Sequence, residues 1–253
     1  MHSFHCFLPS KEGTCQFKEY PIDEIETAIH TMEKEGIKKF AVMGQSQTAM
    51  LSLIAASLIP EISLTAAFTP SNFVMEATKT TDGAERPIDV SFARWRGESL
   101  PFHRFAFRGD EITKRMKENG KKHGDLIRMR EVFDESMRLN PLTEEQLIKV
   151  ENIRGKVLCF GAEDDAMWDT VRYIEKMEKR LEEHPHSCTF EKHIFELGTH
   201  YVLPQGIIKR MLPASTLLIG LMFQNGRIHK KECLKTREKI EHIVAEEIKA
   251  WKV

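Results

Sequence analysis

The chain has 253 residues, enough for one large domain or two small ones with a substantial buried core. Hydrophobic residues make up 41% and charged residues 30%, with 14 Gly and 10 Pro, which excludes a collagen-like or largely disordered chain. Lys plus Arg number 37 against 38 Asp plus Glu, a net charge of −1, so the overall charge attracts neither nucleic acid nor anionic membrane.

The five cysteines (Cys6, Cys15, Cys159, Cys188, Cys233) are odd in number, form no CxxC pair and have no His at zinc-finger spacing, so they read as reduced thiols. Residues 1–10 lack the basic and apolar regions of a signal peptide. The longest apolar stretch, 49–59, is too short to span a bilayer, and a cytoplasmic protein is expected.

In chain order, the pattern predicts a strand over 3–8 and an amphipathic helix over 21–35, with Ile22, Ile25, Ala28, Ile29 and Met32 at three- and four-residue steps before Gly36. A strand over 39–43 leads into a helix over 47–58 that is apolar on nearly every side, as expected beneath a sheet, and ends at Pro60. A strand over 64–68 follows. Residues 76–153 show no strong strand, scattered Gly and Pro, and a charged run over 114–130, and read as a partly helical insertion over the sheet. Then come a strand over 156–160, a helix over 168–183, a strand over 189–195 and a helix over 231–252 with Ile240, Ile243, Val244 and Ile248 on one face. Strands alternating with helices predict an α/β fold: one domain, 1–253, with a mainly parallel sheet, helices on both faces and 76–153 as a helical cap.

Three short segments carry chemistry. Gly44-Gln45-Ser46-Gln47-Thr48 is a strand running through a Gly-x-Ser turn into a helix, the context of a nucleophile elbow, in which Ser46 stands above the sheet edge and the Gln47 N–H points at an oxyanion. Ser46 reads equally as an ordinary helix N-cap. After the strand over 156–160 lie Asp164 and Asp165, on the rim where open α/β sheets place their sites; either could instead cap the next helix. His200 follows the strand over 189–195 in Glu196-Leu197-Gly198-Thr199-His200-Tyr201. The order Ser, acid, His, each just past a strand, is the chain order of an α/β-hydrolase triad.

These residues resemble the C-terminal hydrolase domain of acyl-CoA thioesterases and bile acid-CoA:amino acid N-acyltransferases. The resemblance covers 21–29, 55–60, Ile153-Arg154-Gly155-Lys156-Val157-Leu158, Glu163-Asp164-Asp165-Ala166-Met167-Trp168 and Gly198-Thr199-His200-Tyr201-Val202-Leu203-Pro204. It implies Ser46 as nucleophile, His200 as base and Asp165 as the residue orienting His200, with Asp164 as second choice for the acid. Transferases of this family tend to carry Cys at the elbow, so Ser46 implies hydrolysis. The reaction implied is acyl-CoA thioester hydrolysis; the alternatives are a carboxylesterase or dienelactone-type hydrolase, or a weak or inactive hydrolase-fold binding protein.

Two features depart from the family pattern. Thr48 replaces glycine where helix and strand are expected to pack closely. The chain also begins at what resembles the family's fourth strand, an N-terminal truncation that removes the loop supplying one oxyanion donor, a loss worth about 10²–10³ in kcat. Residues 9–13 are the candidate replacement. The uncovered sheet edge predicts either that the first strand shifts toward the middle of a five-stranded sheet or that a homodimer covers the edge.

An acyl-CoA substrate would call for cations, and the run over 114–130 holds Lys114, Arg115, Lys117, Lys121, Lys122, Arg128 and Arg130 against Glu118 and Asp125; a solvated helix face is the alternative. Phe92, Trp95, Phe102, Phe105 and Phe107 line an acyl pocket or form the core of the insertion. No Gly-rich phosphate loop and no metal-ligand cluster is apparent, so no cofactor or metal is expected. The expected partner is a small acyl thioester or ester, with no nucleic acid and no membrane.

Overall fold

The computed structural model describes residues 16–211 and 214–252. The expected strand over 3–8 and the candidate donor loop over 9–13 lie outside these residues. Two short strands, β1 (Gln16–Phe17) and β2 (Tyr20–Pro21), precede α1 (Asp23–Lys34); then come β3 (Phe40–Gln45), α2 (Gln47–Leu58) and β4 (Ile62–Phe68). The next segment holds β5 (Glu76–Thr81), β6 (Ala84–Ser91), β7 (Ala93–Trp95), β8 (Glu98–Ser99), α3 (Glu111–His123) and α4 (Arg130–Leu139). β9 (Lys156–Ala162), α5 (Thr170–Glu183) and β10 (Thr189–Phe195) follow, and α6 (Gln205–Met211), α7 (Ser215–Met222), α8 (Gln224–Ile228) and α9 (Lys230–Lys252) end the described chain.

The main sheet is parallel, in the order β10-β9-β4-β3. Its registers pair Gln45 with Phe68, Phe68 with Phe160 and Ala162 with Phe195, so the strands finish close together and their following turns gather on one rim. Side chains alternate across it as a period of two requires. Ala67, Val157 and Cys159 face the core shared with α1, α2 and α5, whereas Leu64, Ala66, Phe68, Leu158, Phe160 and Ala162 face the core shared with α9 and residues 202–223. β9 is buried from Val157 to Ala162, which is why it reads as a continuous apolar run.

The insertion differs from the helical cap expected from the sequence. Its first half is strand: β5 and β6 form an antiparallel hairpin, β1 pairs with β5, and β7 pairs with β8 and β2. The hairpin turn is Asp82-Gly83, with φ of 54° and 70°, the two positive values that a two-residue turn between right-twisted strands needs. Polar threonines in place of alternating large apolar residues hide β5 from a periodicity argument. Phe92, Phe105 and Phe107 are buried in the larger core and so form the inside of the insertion.

Gly44 is the tightest point between sheet and helix: a Cβ there would lie 2.1 Å from the Thr48 carbonyl oxygen and 2.7 Å from the Ala49 nitrogen. Both obstacles are backbone, so they cannot rotate away. Gly44→Ala is expected to lower unfolding stability by about 2–3 kcal/mol, as overpacking does; an unchanged urea midpoint would contradict this packing. Among the described residues no helix is long and apolar enough to cross a membrane.

Candidate active site

Ser46 sits at the end of β3 with φ 62° and ψ −124°, a positive φ that a non-glycine residue adopts only when its surroundings enforce it. Its N–H donates to the Phe68 carbonyl at 2.8 Å, and its own carbonyl accepts from Ala49 (3.0 Å) and Met50 (3.2 Å) to start α2. Ser46 holds the N-cap position, but its side chain makes no capping hydrogen bond. The hydroxyl lies instead 2.8 Å from His200 Nε2. The Gln47 N–H, the first of α2, has no acceptor among the described residues and lies at the positive end of the helix.

Thr48 does not crowd the strand–helix contact, contrary to the expectation from the sequence. It is exposed, and its hydroxyl donates to the Gln45 carbonyl (2.8 Å) while accepting the Gln45 N–H (2.9 Å), so it closes the turn from outside. The close approach belongs to Gly44.

Asp165, fully buried past β9, faces His200 Nδ1 with both carboxylate oxygens, at 2.9 and 3.0 Å. Its Oδ1 also accepts the Met167 N–H at 2.8 Å, and its Oδ2 accepts from the Thr170 hydroxyl. The carboxylate thus has donors on both oxygens, which is what a buried charge requires. The Trp168 ring stands edge-on to the imidazole, centroids 4.7 Å apart, and its Nε1–H donates to the Thr69 carbonyl at 3.2 Å. Rings link it onward: Trp168 meets Phe133 at 5.5 Å and Phe133 meets Phe105 at 5.0 Å, so the core of the insertion backs onto His200 through Trp168.

Asp164 points elsewhere. Its Oδ1 accepts the N–H groups of Gly198 (2.9 Å) and Thr199 (2.8 Å), and its Oδ2 accepts from Asn225 Nδ2 (3.3 Å). It therefore latches the loop that carries His200. Burial raises its pKa above the ordinary carboxyl value, and the Thr199 and Gly198 N–H groups oppose that rise. Asp164→Ala frees both loop N–H groups and should cost about 10–100-fold in kcat, the scale of a small misplacement of a reacting group. Asp164→Asn, which keeps an acceptor oxygen, should recover most of it. Equal turnover in Asp164→Ala and the parent would remove the latch from the account.

Three further contacts were not foreseeable from motifs. Gln45 Nε2 donates to the His200 carbonyl at 2.9 Å, tying the elbow to the histidine loop. Arg130 Nη1 donates to the carbonyls of Glu163 (3.0 Å) and Asp165 (3.3 Å), and its guanidinium pairs with Asp169 at 3.0 Å. The Met129 and Arg130 N–H groups both bond the Ala166 carbonyl. The start of α4 thus holds the acid-bearing turn. Of the cations in the run over 114–130, Arg115 is likewise committed to Glu111 and Glu135, and Arg128 to Asp125 and Glu131, leaving Lys114, Lys117, Lys121 and Lys122 exposed. Among the described residues no group of three or more His, Cys, Asp or Glu could hold a metal ion.

The profile of the BAAT / acyl-CoA thioester hydrolase C-terminal family matches residues 25–205, more than half of the chain and a span that contains Ser46, Asp165 and His200. The chain belongs to this family. Among curated proteins none matches it significantly. Two solved structures similar to this BAAT / acyl-CoA thioester hydrolase C-terminal domain are esterase Pf2001 from Pyrococcus furiosus and acetyl xylan esterase 1 from Thermoanaerobacterium sp. The first is 12% identical, with a TM-score of 0.41, over 79% of this chain and 61% of its own. The second is 15% identical, with a TM-score of 0.31, over 74% of this chain and 46% of its own. The chain therefore spans less than two thirds of the length of either esterase.

Proposed function

We propose that the chain is a serine hydrolase of thioesters or esters, with acyl-CoA thioesters as its substrate class, acting through Ser46, His200 and Asp165. The observation that carries this reading is the Ser46 hydroxyl, on a strained strand-to-helix turn, 2.8 Å from an imidazole whose other nitrogen faces a buried carboxylate. The family's description, which names acyl-CoA thioester hydrolases, supports the thioester.

In this mechanism His200 Nε2 takes the proton of Ser46 as Oγ attacks the carbonyl carbon, and the oxyanion forms toward the Gln47 N–H. Asp165 keeps the proton of His200 on Nδ1, so that Nε2 faces Ser46 as an acceptor, and stabilises the imidazolium that results. Collapse of the intermediate expels the thiolate, which receives the proton from Nε2. Water, deprotonated in turn by His200, then releases the acyl group and restores Ser46. A cytoplasmic reaction is the reading we favour, supported by free thiols at Cys159, Cys188 and Cys233, which a reducing compartment preserves.

The test is a panel of acyl-CoA thioesters, read by release of free thiol, beside p-nitrophenyl esters of the same acyl chains. Thioester cleavage that is lost in Ser46→Ala is the expected result. Ester cleavage without thioester cleavage reassigns the chain to a carboxylesterase or dienelactone-type hydrolase, and no turnover of either by folded protein overturns the reading in favour of a binding protein.

A further inference from the structure

Eight large hydrophobic side chains are exposed among the described residues, and six of them (Leu126, Met211, Leu217, Leu218, Leu221, Ile228) lie on α7 or beside it, 37–62% exposed. The sequence of α7, Ser-Thr-Leu-Leu-Ile-Gly-Leu-Met, is apolar almost all round; folding buries Ile219 and Gly220 and leaves three leucines in water. The turn bearing Leu126 is joined to this helix by a hydrogen bond from the Leu126 N–H to the Met222 carbonyl at 2.8 Å, and Arg227 Nη1 bonds the Gly220 carbonyl at 3.3 Å. Leu126 and Ile228 thus stand on segments bonded to the helix that exposes Leu217, Leu218 and Leu221, and Met211 precedes that helix in sequence; exposed apolar side chains concentrated in this way mark an interaction surface.

Its rim is basic. Between positions 205 and 235 the sequence has six Lys or Arg (Lys209, Arg210, Arg227, Lys230, Lys231, Lys235) and a single acid, Glu232. Lys209 and Arg210 adjoin Met211, Lys230 and Lys231 follow Ile228, and Lys121 and Lys122 precede Leu126; all six are exposed. Arg128 nearby is neutralised by Asp125 and Glu131, but these six have no ion-pair partner among the described residues. The overall charge of −1 conceals this local excess, and the expectation of no membrane partner rested on that overall charge.

We infer that the α7 face docks on an anionic phospholipid surface. Leucines on an exposed helix rimmed by lysine and arginine are the composition that lies in a headgroup layer, apolar side chains inward and cations on the phosphates. A second copy fits worse, because a symmetric pairing through this patch brings two basic rims together. The face adjoins the candidate active site: Tyr201, next to His200, donates its hydroxyl hydrogen to Met222 Sδ at 3.7 Å. The inference is independent of the hydrolase reading, since it needs no chemistry at Ser46.

The experiment is flotation of the full chain with vesicles of phosphatidylcholine alone and of phosphatidylcholine with phosphatidylserine, at low and high salt. Binding is expected to the phosphatidylserine vesicles, weakened by salt. It should fall at least about tenfold in Leu217→Ser/Leu221→Ser and in Lys209→Glu/Arg210→Glu, given what burying a leucine or placing a cation near the surface contributes, with circular dichroism and thermal midpoint unchanged. Absence of binding by the parent, or binding by either variant equal to the parent's, overturns the inference. Concentration-dependent self-association in sedimentation velocity that disappears in Leu217→Ser/Leu221→Ser also overturns it and assigns the face to a second copy. Active-site labelling in solution should be the same in all three proteins, which separates this result from any failure of the hydrolase reading.

Discussion

Treated with a fluorophosphonate, the folded protein should gain the mass of one probe molecule less HF, as Ser46 Oγ bonds phosphorus and fluoride leaves with the hydroxyl proton, and Ser46→Ala and His200→Ala should gain none. A serine hydroxyl in water does not react with such a probe at a useful rate. Ser46 differs from the other described serines by its neighbours: an imidazole nitrogen at 2.8 Å, a helix N–H at the next residue that has no acceptor among the described residues, and a turn that lifts it to the sheet rim. Ser71 and Ser136, both buried, spend their hydroxyls on the Phe73 carbonyl and the Ala106 N–H. Turnover of any ester or thioester should fall by about 10⁴–10⁶ in either variant, because serine and histidine act as a unit and losing one costs nearly as much as losing both. Ser46→Ala keeps a Cβ at the same positive φ, so its unfolding midpoint should hold. Labelling that persists in Ser46→Ala would move the nucleophile elsewhere, and a folded parent that resists the probe would exclude an activated serine.

The parts of this fold that bury apolar side chains on both sides were legible as a string. The strand over 189–195 matches β10 and the helix over 47–58 matches α2 at both ends; β4 and β9 contain the expected strands and extend two residues beyond them, and β3 starts one residue later than the expected 39–43 and ends two residues later. Sheet strands sealed between two cores have no polar face, so their composition alone identifies them. The hairpin of β5 and β6 escaped because its threonines carry no apolar period, although Asp82-Gly83 was a local turn signal. The helices α6, α7 and α8 escaped because they are short, and α7 has no amphipathic stripe to read.

The candidate site divides along the same line. Ser46 and Asp165 each stand within hydrogen-bond distance of His200, and their order, each just past a strand of the main sheet, pointed to them. Which of two adjacent aspartates faces the imidazole was not decidable by counting, since both follow the same strand. The chain past β9 turns so that Asp165 reaches His200 and Asp164 reaches the N–H groups of Gly198 and Thr199. Gln45, Trp168 and Arg130 act through contacts between segments far apart in sequence, as with the Gln45 amide on the His200 carbonyl, and no spacing rule reports such a pair. Thr48 looked like an obstacle because the usual glycine was missing; its outward hydroxyl shows that only Gly44 needed to be small.

Asp165→Asn is expected to lower kcat by about 10⁴ while leaving the fold intact, a far larger loss than Asp164→Asn should produce. Asparagine has nearly the shape of aspartate: its amide oxygen in the place of Oδ1 would keep the Met167 N–H, and its NH₂ in the place of Oδ2 would donate to a Thr170 hydroxyl turned to accept, holding the amide in the same place. Two things change. An amide NH₂ directed at Nδ1 favours the imidazole tautomer with its proton on Nε2, where it confronts the Ser46 hydroxyl and can no longer accept from it. The negative charge that steadies the imidazolium also disappears, in a position with no exposure to solvent, so water cannot replace it. Both effects act on the step in which Ser46 loses its proton. The loss should therefore be seen in kcat and in the rate of fluorophosphonate labelling, with KM and the unfolding midpoint little altered. A loss under about tenfold would mean that the carboxylate does not serve His200 during the reaction, whatever the 2.9 Å contact at rest.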